Sequence, residues 1–211
     1  MGKLLLLASL CAIPAFPAGI FSAGVLGGAP FTDVVNNTSG GGYAFNARSS
    51  NYTVGPSIQI NLPLNLRFEF DALYRPYRFA ATSNVPAPLA TGLAPANVSA
   101  SQWAFPMLAQ YRFKFPVVSP FLEAGLSVNH LSGVSDVGAD IIAGPGTSGA
   151  SVTPASLIRR TNAGVVIGGG VDLKLPIVRI SGELRYTRES QPYFANVSNL
   201  NQAELLVGIH F

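Results

Sequence analysis

LRFEFDALYR, residues 66–75, alternates charged with apolar side chains. Successive side chains of a β-strand point to opposite faces of the sheet, so this pattern predicts a strand with two chemically different faces. The two faces consist of Arg67, Glu69, Asp71 and Arg75 on one side and of Phe68, Phe70, Ala72 and Tyr74 on the other. Such a strand needs apolar surroundings on one side and polar partners on the other.

The same alternation returns in seven further segments, and no segment shows the 3.6-residue apolar stripe of a helix. In chain order the eight predicted strands are about 20–28, 52–62, 66–77, 101–113, 121–131, 162–173, 178–188 and 202–211. The sequence therefore predicts an all-β fold.

The connections between these strands alternate strictly between short and long. Three short turns are centred on Pro63, Pro116 and Pro176. The long loops are rich in Gly, Ser, Asn, Ala and Pro and cover about 29–51, 78–100, 132–161 and 189–201. This alternation predicts antiparallel hairpins with all long loops at one end, which is typical of an eight-stranded up-and-down transmembrane β-barrel.

The charge content distinguishes a membrane barrel from a soluble one. Only 11% of the residues are charged, against roughly 25% in an average soluble domain. The charges on the predicted polar faces are balanced, with six basic residues (Arg67, Arg75, Arg112, Lys174, Arg179 and Arg185) and six acidic ones (Glu69, Asp71, Glu123, Asp172, Glu183 and Glu204). Balanced charges suit a closed interior, because an unpaired buried charge is costly. We therefore expect lipid outside and charges inside; the alternative is a secreted lipocalin-like barrel with the reverse arrangement.

The N-terminus predicts export. Lys3 precedes the apolar residues 4–13, and Pro14 and Pro17 follow among small residues. This stretch is too short for a membrane-spanning helix, so residues 1–18 are interpreted as a signal peptide cleaved between Ala15 and Ala18, and residues 19–211 as the barrel domain. The single cysteine lies inside the signal peptide, which excludes a disulfide framework and a thiolate metal site.

Three stretches resemble a known family: FSAGVLGG (21–28), PFLEAG (120–125) and LLVGIHF (205–211). They are similar to small bacterial outer-membrane barrels of the OmpA/OmpX-like eight-stranded class. The resemblance implies a location in the bacterial outer membrane. It also implies recognition of the last strand, which ends in Phe211, by the barrel-assembly machinery.

These features favour a non-enzymatic, monomeric barrel with a structural or surface-interaction role. An eight-stranded barrel is just wide enough to be filled by its own side chains. The expected partners are outer-membrane lipid and lipopolysaccharide, whereas a net charge of +3 without basic clusters argues against nucleic acid. The alternatives are a narrow conduit for small or apolar molecules and a lipid A-modifying acyl hydrolase.

The hydrolase alternative depends on His130 and Ser132, since a His-x-Ser pair is similar to the active-site motif of lipid A deacylases. The acidic partner would have to be Asp136, Asp140 or Glu189. We predict that no such triad forms and that His130 lies at the headgroup level. No catalytic, cofactor-binding or metal-ligating residue is therefore assigned.

Two other features of the long loops concern metal and phosphate binding. Asp136 and Asp140 are too few ligands for calcium. Arg159 and Arg160 could contact lipopolysaccharide phosphates or could be ordinary solvated loop charges.

Overall fold

A computed structural model describes residues 19–32, 38–40, 43–49, 52–83, 96–132, 159–193 and 199–211. The strands are β1 (Phe21–Pro30), β2 (Thr38–Gly40), β3 (Tyr43–Ser49), β4 (Thr53–Asn61), β5 (Leu66–Asp71), β6 (Leu73–Ser83), β7 (Ala96–Arg112), β8 (Val118–Ser132), β9 (Thr161–Lys174), β10 (Arg179–Glu189) and β11 (Asn201–His210). Within these ranges no helix is long and apolar enough to cross a membrane. The predicted signal peptide, residues 1–18, lies outside the described residues.

The strands form one closed antiparallel barrel. β1 pairs with β11 on one side and with β4 on the other, so the sheet has no open edge there. Ala72 alone separates β5 from β6, and both pair with β7 as successive parts of one strand. β3 and β4 follow this strand in the same way on its other side. Eight strands therefore surround the interior, which confirms the predicted fold.

The backbone conformation of one short turn, between β4 and β5, suits a tight hairpin. Leu64 and Asn65 adopt positive φ angles of 64° and 67° in the turn between β4 and β5. Two consecutive residues with positive φ give a turn whose twist matches that of the flanking strands. The amide of Leu62 bonds the carbonyl of Leu66 at 2.9 Å, which closes the hairpin.

The loop-end boundaries differ from the prediction. β6 continues to Ser83 and β7 begins at Ala96, so both ends of the predicted loop 78–100 are strand, and β2 and β3 lie inside the predicted loop 29–51. The sequence pattern reports where side chains meet lipid, whereas strand pairing depends on the backbone. Strands can therefore extend beyond the part that shows strong alternation.

The inside and outside faces agree with the predicted alternation. Phe68, Phe70, Leu122 and Leu184 are exposed on the outer surface, where lipid would cover them. Aromatic side chains gather near both ends of the barrel wall. At the loop end, Tyr74 lies 5.3 Å from Trp103 between ring centroids. At the turn end, Tyr111 and Phe113 make an edge contact at 5.3 Å, as expected for interfacial belts.

The predicted balance of six basic and six acidic inward residues is wrong at two strand ends. Lys174, the last residue of β9, is exposed rather than inward. Glu189, the last residue of β10, is buried inside, although the predicted set of inward acidic residues does not include it. Among the residues whose burial the structure describes, the interior therefore holds five basic residues (Arg67, Arg75, Arg112, Arg179 and Arg185) and seven acidic ones (Glu69, Asp71, Glu123, Asp172, Glu183, Glu189 and Glu204). Alternation fails at Lys174, where the turn changes the direction of the backbone, whereas Glu189 keeps the inward parity of Glu183 and Arg185 one residue beyond the predicted strand.

Candidate functional site

The interior of the barrel contains the main concentration of polar chemistry among the described residues. It is arranged in four layers along the barrel axis. The first is a charged layer at the turn end, which we call the inner layer, and the second is a cluster around Arg185. A partly apolar layer comes next, and a polar layer at the loop end, the outer layer, is the fourth.

The inner layer is built around Asp172. The Arg67 guanidinium donates to Asp172 at 2.8 Å, and the Nε atom of Arg179 lies 3.8 Å from the same carboxylate. Arg67 also stacks over the Phe121 ring, 5.2 Å from its centroid, which adds a cation–π contact. Arg67 and Asp172 are almost completely buried, so this pair lies out of contact with water.

The side-chain amide of Gln59 links the inner layer to the Arg185 cluster above it. Gln59 donates to Glu69 and to His210, whose Nε2 atom lies 3.0 Å away, and it accepts a hydrogen bond from Arg179. His210 is buried near the turn end, whereas His130 is exposed near the loop end. The two histidines therefore lie at opposite ends of the barrel.

The second layer, the Arg185 cluster, is one guanidinium surrounded by four carboxylates. Arg185 forms ion pairs with Asp71 at 2.6 Å, with Glu123 at 3.1 Å and with Glu183 at 3.1 Å, and it also pairs with Glu69. None of these five side chains is more than 5% exposed. Arg185 is therefore the cation that holds three strands, β5, β8 and β10, together in the middle of the barrel.

A missing side chain on β9 permits this arrangement. Gly168 lies between Glu123 on β8 and Arg185 on β10 in the strand register. A Cβ atom at this position would lie 2.5 Å from the Glu123 carboxylate. The glycine leaves the space in which the two charged groups meet.

Glu69, Glu123 and Glu183 also have a spacing that metal ligands can adopt, since one oxygen of each lies within 4.8 Å of the others. Arg185 donates to all three carboxylates. Gln110 donates in addition to Glu69 at 3.0 Å and to Glu123 at 2.8 Å. These contacts already place a cation and hydrogen-bond donors between the carboxylates, at the point where a metal ion would have to lie.

The third layer is apolar on one side, where three leucines meet, and polar on the other, where Ser127, Asn129 and Thr187 line a small cavity. Leu26, Leu73 and Leu206, on three different strands, pack together with Ala104 against them, and none of the three leucines is more than 1% exposed. A cavity of about 20 Å³ lies between Arg185 and Arg75. That volume corresponds to about one water molecule. The middle of the barrel is therefore filled by side chains.

The fourth layer closes the loop end. Arg75 pairs with Glu204 and donates to Gln202 at 2.8 Å and to Thr53 at 3.0 Å. Tyr77, next to Arg75 in this layer, donates to Gln102. These contacts connect β4, β6, β7 and β11.

Tyr193 covers the mouth of the barrel from the β10–β11 connection. It is 1% exposed, accepts a hydrogen bond from Gln102 at 3.1 Å and lies 3.5 Å from the Glu189 carboxylate. Burial raises the pKa of the Tyr193 phenol, so it remains a neutral hydrogen-bond donor. Asn129 donates to the same Glu189 oxygen at 2.5 Å, which explains why this carboxylate turns inward.

The proposed hydrolase residues are not brought together where the structure describes them. His130 is exposed on the outer face, with its Nδ1 atom 2.8 Å from the Thr161 hydroxyl. Glu189 lies on the opposite, inner face of the wall and is bonded to Asn129. Asp136 and Asp140 lie outside the described residues.

Sequence reasoning missed the amides and phenols of the interior. Gln59, Gln102, Gln110, Tyr77 and Tyr193 each bond at least one charged or polar partner there. The first four lie on the inward side of their strands, so an alternation count that included neutral polar residues would have found them. Tyr193 lies in a loop, where the sequence carries no comparable signal.

Comparisons with known proteins agree with this architecture. The family model described as "Outer membrane protein beta-barrel domain" matches residues 4–211. No curated protein sequence matches the chain significantly.

Two solved structures have a similar fold. Neisserial surface protein A (NspA) is 20% identical, with a TM-score of 0.52, covering 92% of this chain and 96% of its own. The outer membrane protein OprG from Pseudomonas aeruginosa is 13% identical, with a TM-score of 0.51, covering 91% of this chain and 94% of its own. The fold, the lipid-facing surface and the family match place this protein in the bacterial outer membrane. The chain therefore belongs to the outer-membrane protein β-barrel domain family.

Proposed function

We propose that this protein is a non-conducting, non-enzymatic barrel that stabilises the outer membrane and carries long loops on the cell surface. The observation that supports this proposal most directly is the filled interior. Arg185 and its four carboxylates occupy one level, and Leu26, Leu73 and Leu206 occupy the next.

Two physical properties of the interior oppose conduction. The ion pairs link strands across the barrel, so opening a path would separate buried charges, which is costly. The leucines on one side of the next level offer no hydrogen bonds to water or ions. The cavity beside them, about 20 Å³, is too small for a continuous column of water.

Planar-bilayer recordings test the closed interior. We expect no stepwise conductance from the purified protein in 1 M KCl, whereas a porin added to the same bilayers should give steps. Liposome swelling with small sugars should be equally negative. Reproducible conductance steps that depend on the concentration of the folded protein would instead support the conduit alternative.

The absence of hydrolase activity is a separate expectation. His130 bonds Thr161 and points outward, while Glu189 is engaged inside the barrel. We expect the purified protein to release no 3-hydroxy fatty acid from lipid A, as measured by mass spectrometry, and Ser132→Ala to give the same result. Release that is lost in Ser132→Ala would contradict this proposal.

The expected partners follow from the same architecture. We propose that outer-membrane lipid and lipopolysaccharide surround the wall and that the barrel-assembly machinery binds β11, which closes the barrel against β1. The described wall of the closed barrel leaves no unpaired edge for a second copy to extend, which supports a monomer.

A further inference from the structure

The carboxylates of the described residues all lie inside the barrel, whereas basic residues lie both inside and outside. Each acidic side chain in the described residues is buried, none being more than 8% exposed. The exposed charged residues in the same ranges are all basic: Lys114, Arg159, Arg160, Lys174 and Arg188. The described outer surface therefore presents only positive charge, although the whole chain has a net charge of only +3.

Three of these cations lie at the loop end, on or beside the β9–β10 pair. We call Arg159, Arg160 and Arg188 the outer basic patch. The amide of Arg159 lies 3.5 Å from the carbonyl of Tyr193, and the carbonyl of Arg160 accepts from Leu131 at 2.7 Å. Both residues therefore lie at the loop-end rim, where β9 begins beside the β10–β11 connection.

Arg188 extends the patch towards the membrane. It lies on β10 opposite Val165 of β9, five residues along the strand from Arg160. At a strand rise of about 3.3 Å per residue, that separation is roughly 16 Å. Arg188 shares the Asn201 side-chain oxygen with the Tyr186 hydroxyl, at 3.4 and 2.6 Å, so it lies beside an aromatic ring of the outer surface.

The other two exposed cations lie at the opposite end. Lys114 follows β7, and the amide of Lys174 bonds the carbonyl of Val117 in the adjacent turn at 3.1 Å. The rims therefore differ in residue type as well as in number, with three arginines at the loop end and two lysines at the turn end.

We propose that the outer basic patch is a binding site for the phosphorylated disaccharide headgroup of lipid A in the outer leaflet. Arginine suits this ligand because its planar guanidinium binds phosphate through two parallel hydrogen bonds. A strip of cations that runs from the rim to an aromatic side chain can reach phosphates at both ends of a disaccharide. In the described surface no exposed carboxylate competes for these arginines.

This inference rests on the proposed contact with lipopolysaccharide and not on the closed interior. Conductance recordings on the same preparations would therefore show whether the closed-barrel proposal fails independently of lipid binding.

The test compares two charge-neutralising variants of the full barrel, refolded in detergent. Arg159→Gln/Arg160→Gln/Arg188→Gln removes the outer basic patch, and Lys114→Gln/Lys174→Gln is the matched control at the other rim. Native mass spectrometry measures the affinity for diphosphorylated lipid A, for dephosphorylated lipid A and for phosphatidylglycerol. Heat-dependent gel mobility reports whether each variant is folded.

We expect the outer variant to bind diphosphorylated lipid A about tenfold or more weakly, since charge-assisted hydrogen bonds to phosphate are lost. The turn-end control should change by less than about twofold, because exposed charges elsewhere contribute little. Equal losses in both variants, or no loss in either, would overturn the proposal.

Measurements on the unmodified protein decide the question even if the outer variant fails to fold. The affinity for diphosphorylated lipid A should exceed that for dephosphorylated lipid A by about tenfold or more, and it should also exceed that for phosphatidylglycerol. Equal binding of the two lipid A forms would show that phosphate is not recognised. Equal binding of phosphatidylglycerol would show general attraction to anionic lipid, and either result would overturn the site.

Discussion

Arg185→Met should destabilise the barrel by about 3–5 kcal/mol, or prevent folding at neutral pH, because it leaves buried carboxylates without their counter-charge. Asp71, Glu123 and Glu183 would each lose a direct ion pair, and Glu69 would keep only its amide partners. Methionine has a similar length, so the effect reports on charge more than on an empty volume.

Urea unfolding from lipid vesicles measures this effect. The matched control is Arg188→Met, three residues further along the same strand, where the side chain is exposed. We expect that control to change stability by less than about 0.5 kcal/mol. A second control, Glu183→Gln, removes one of four carboxylates that share one guanidinium, and its loss should be much smaller than that of Arg185→Met.

Lowering the pH should reduce the penalty of Arg185→Met, since protonated carboxyl groups do not need a cation. The difference in unfolding free energy between Arg185→Met and the parent should therefore shrink as the pH falls through the carboxylate range. A loss under about 1 kcal/mol at neutral pH would contradict the dry, paired interior, since breaking a buried pair ordinarily costs more.

Leu184→Arg should cost about 2–4 kcal/mol, because it places a charge on the lipid face near the middle of the membrane. Leu184 is 54% exposed and lies between two inward residues, Glu183 and Arg185, on β10. It pairs with Leu205 and Gly169 on the neighbouring strands, so no carboxylate lies directly beside it in the sheet.

The matched control for Leu184→Arg is Ile177→Arg, which places the same charge outside the membrane-spanning part. Ile177 is 85% exposed in the turn before β10, where an arginine can reach water. We expect this substitution to cost between about 0 and 1 kcal/mol. Equal unfolding free energies for the two variants would show that the outer surface does not face lipid.

The sequence by itself determined the architecture because every membrane-spanning residue faces either lipid or the barrel interior, and its polarity indicates which. Phe68 and Phe70 must face lipid while Arg67 and Glu69 must avoid it, so the alternation is visible without knowledge of the neighbouring strands. The prolines of the short turns mark where the chain reverses. Strand number, orientation and the inward side of most charges follow from these local signals.

Only the tertiary structure decided which inward groups meet. Arg185 on β10 pairs with Glu69 and Asp71 on β5 because the closed barrel brings these strands opposite each other across the interior. No spacing in the sequence reports that distance. The outward position of Lys174 was also decided there, because the turn begins at this residue, whereas Glu189 keeps the inward parity of Glu183 and Arg185 beyond the predicted end of its strand.

The outer basic patch shows the same division. Arg159 and Arg160 stand out in the sequence, and alternation already places Arg188 outward with Leu184 and Tyr186, but only the strand pairing shows that all three lie at the same end of the β9–β10 pair. The sequence contains ten acidic residues against thirteen basic ones, which suggests only a weak excess of positive charge. Folding confines the described carboxylates to the interior, because a closed barrel of antiparallel strands has an inside in which carboxylates find arginine partners. The described outer surface is left with the cations that long side chains can extend to the membrane interfaces.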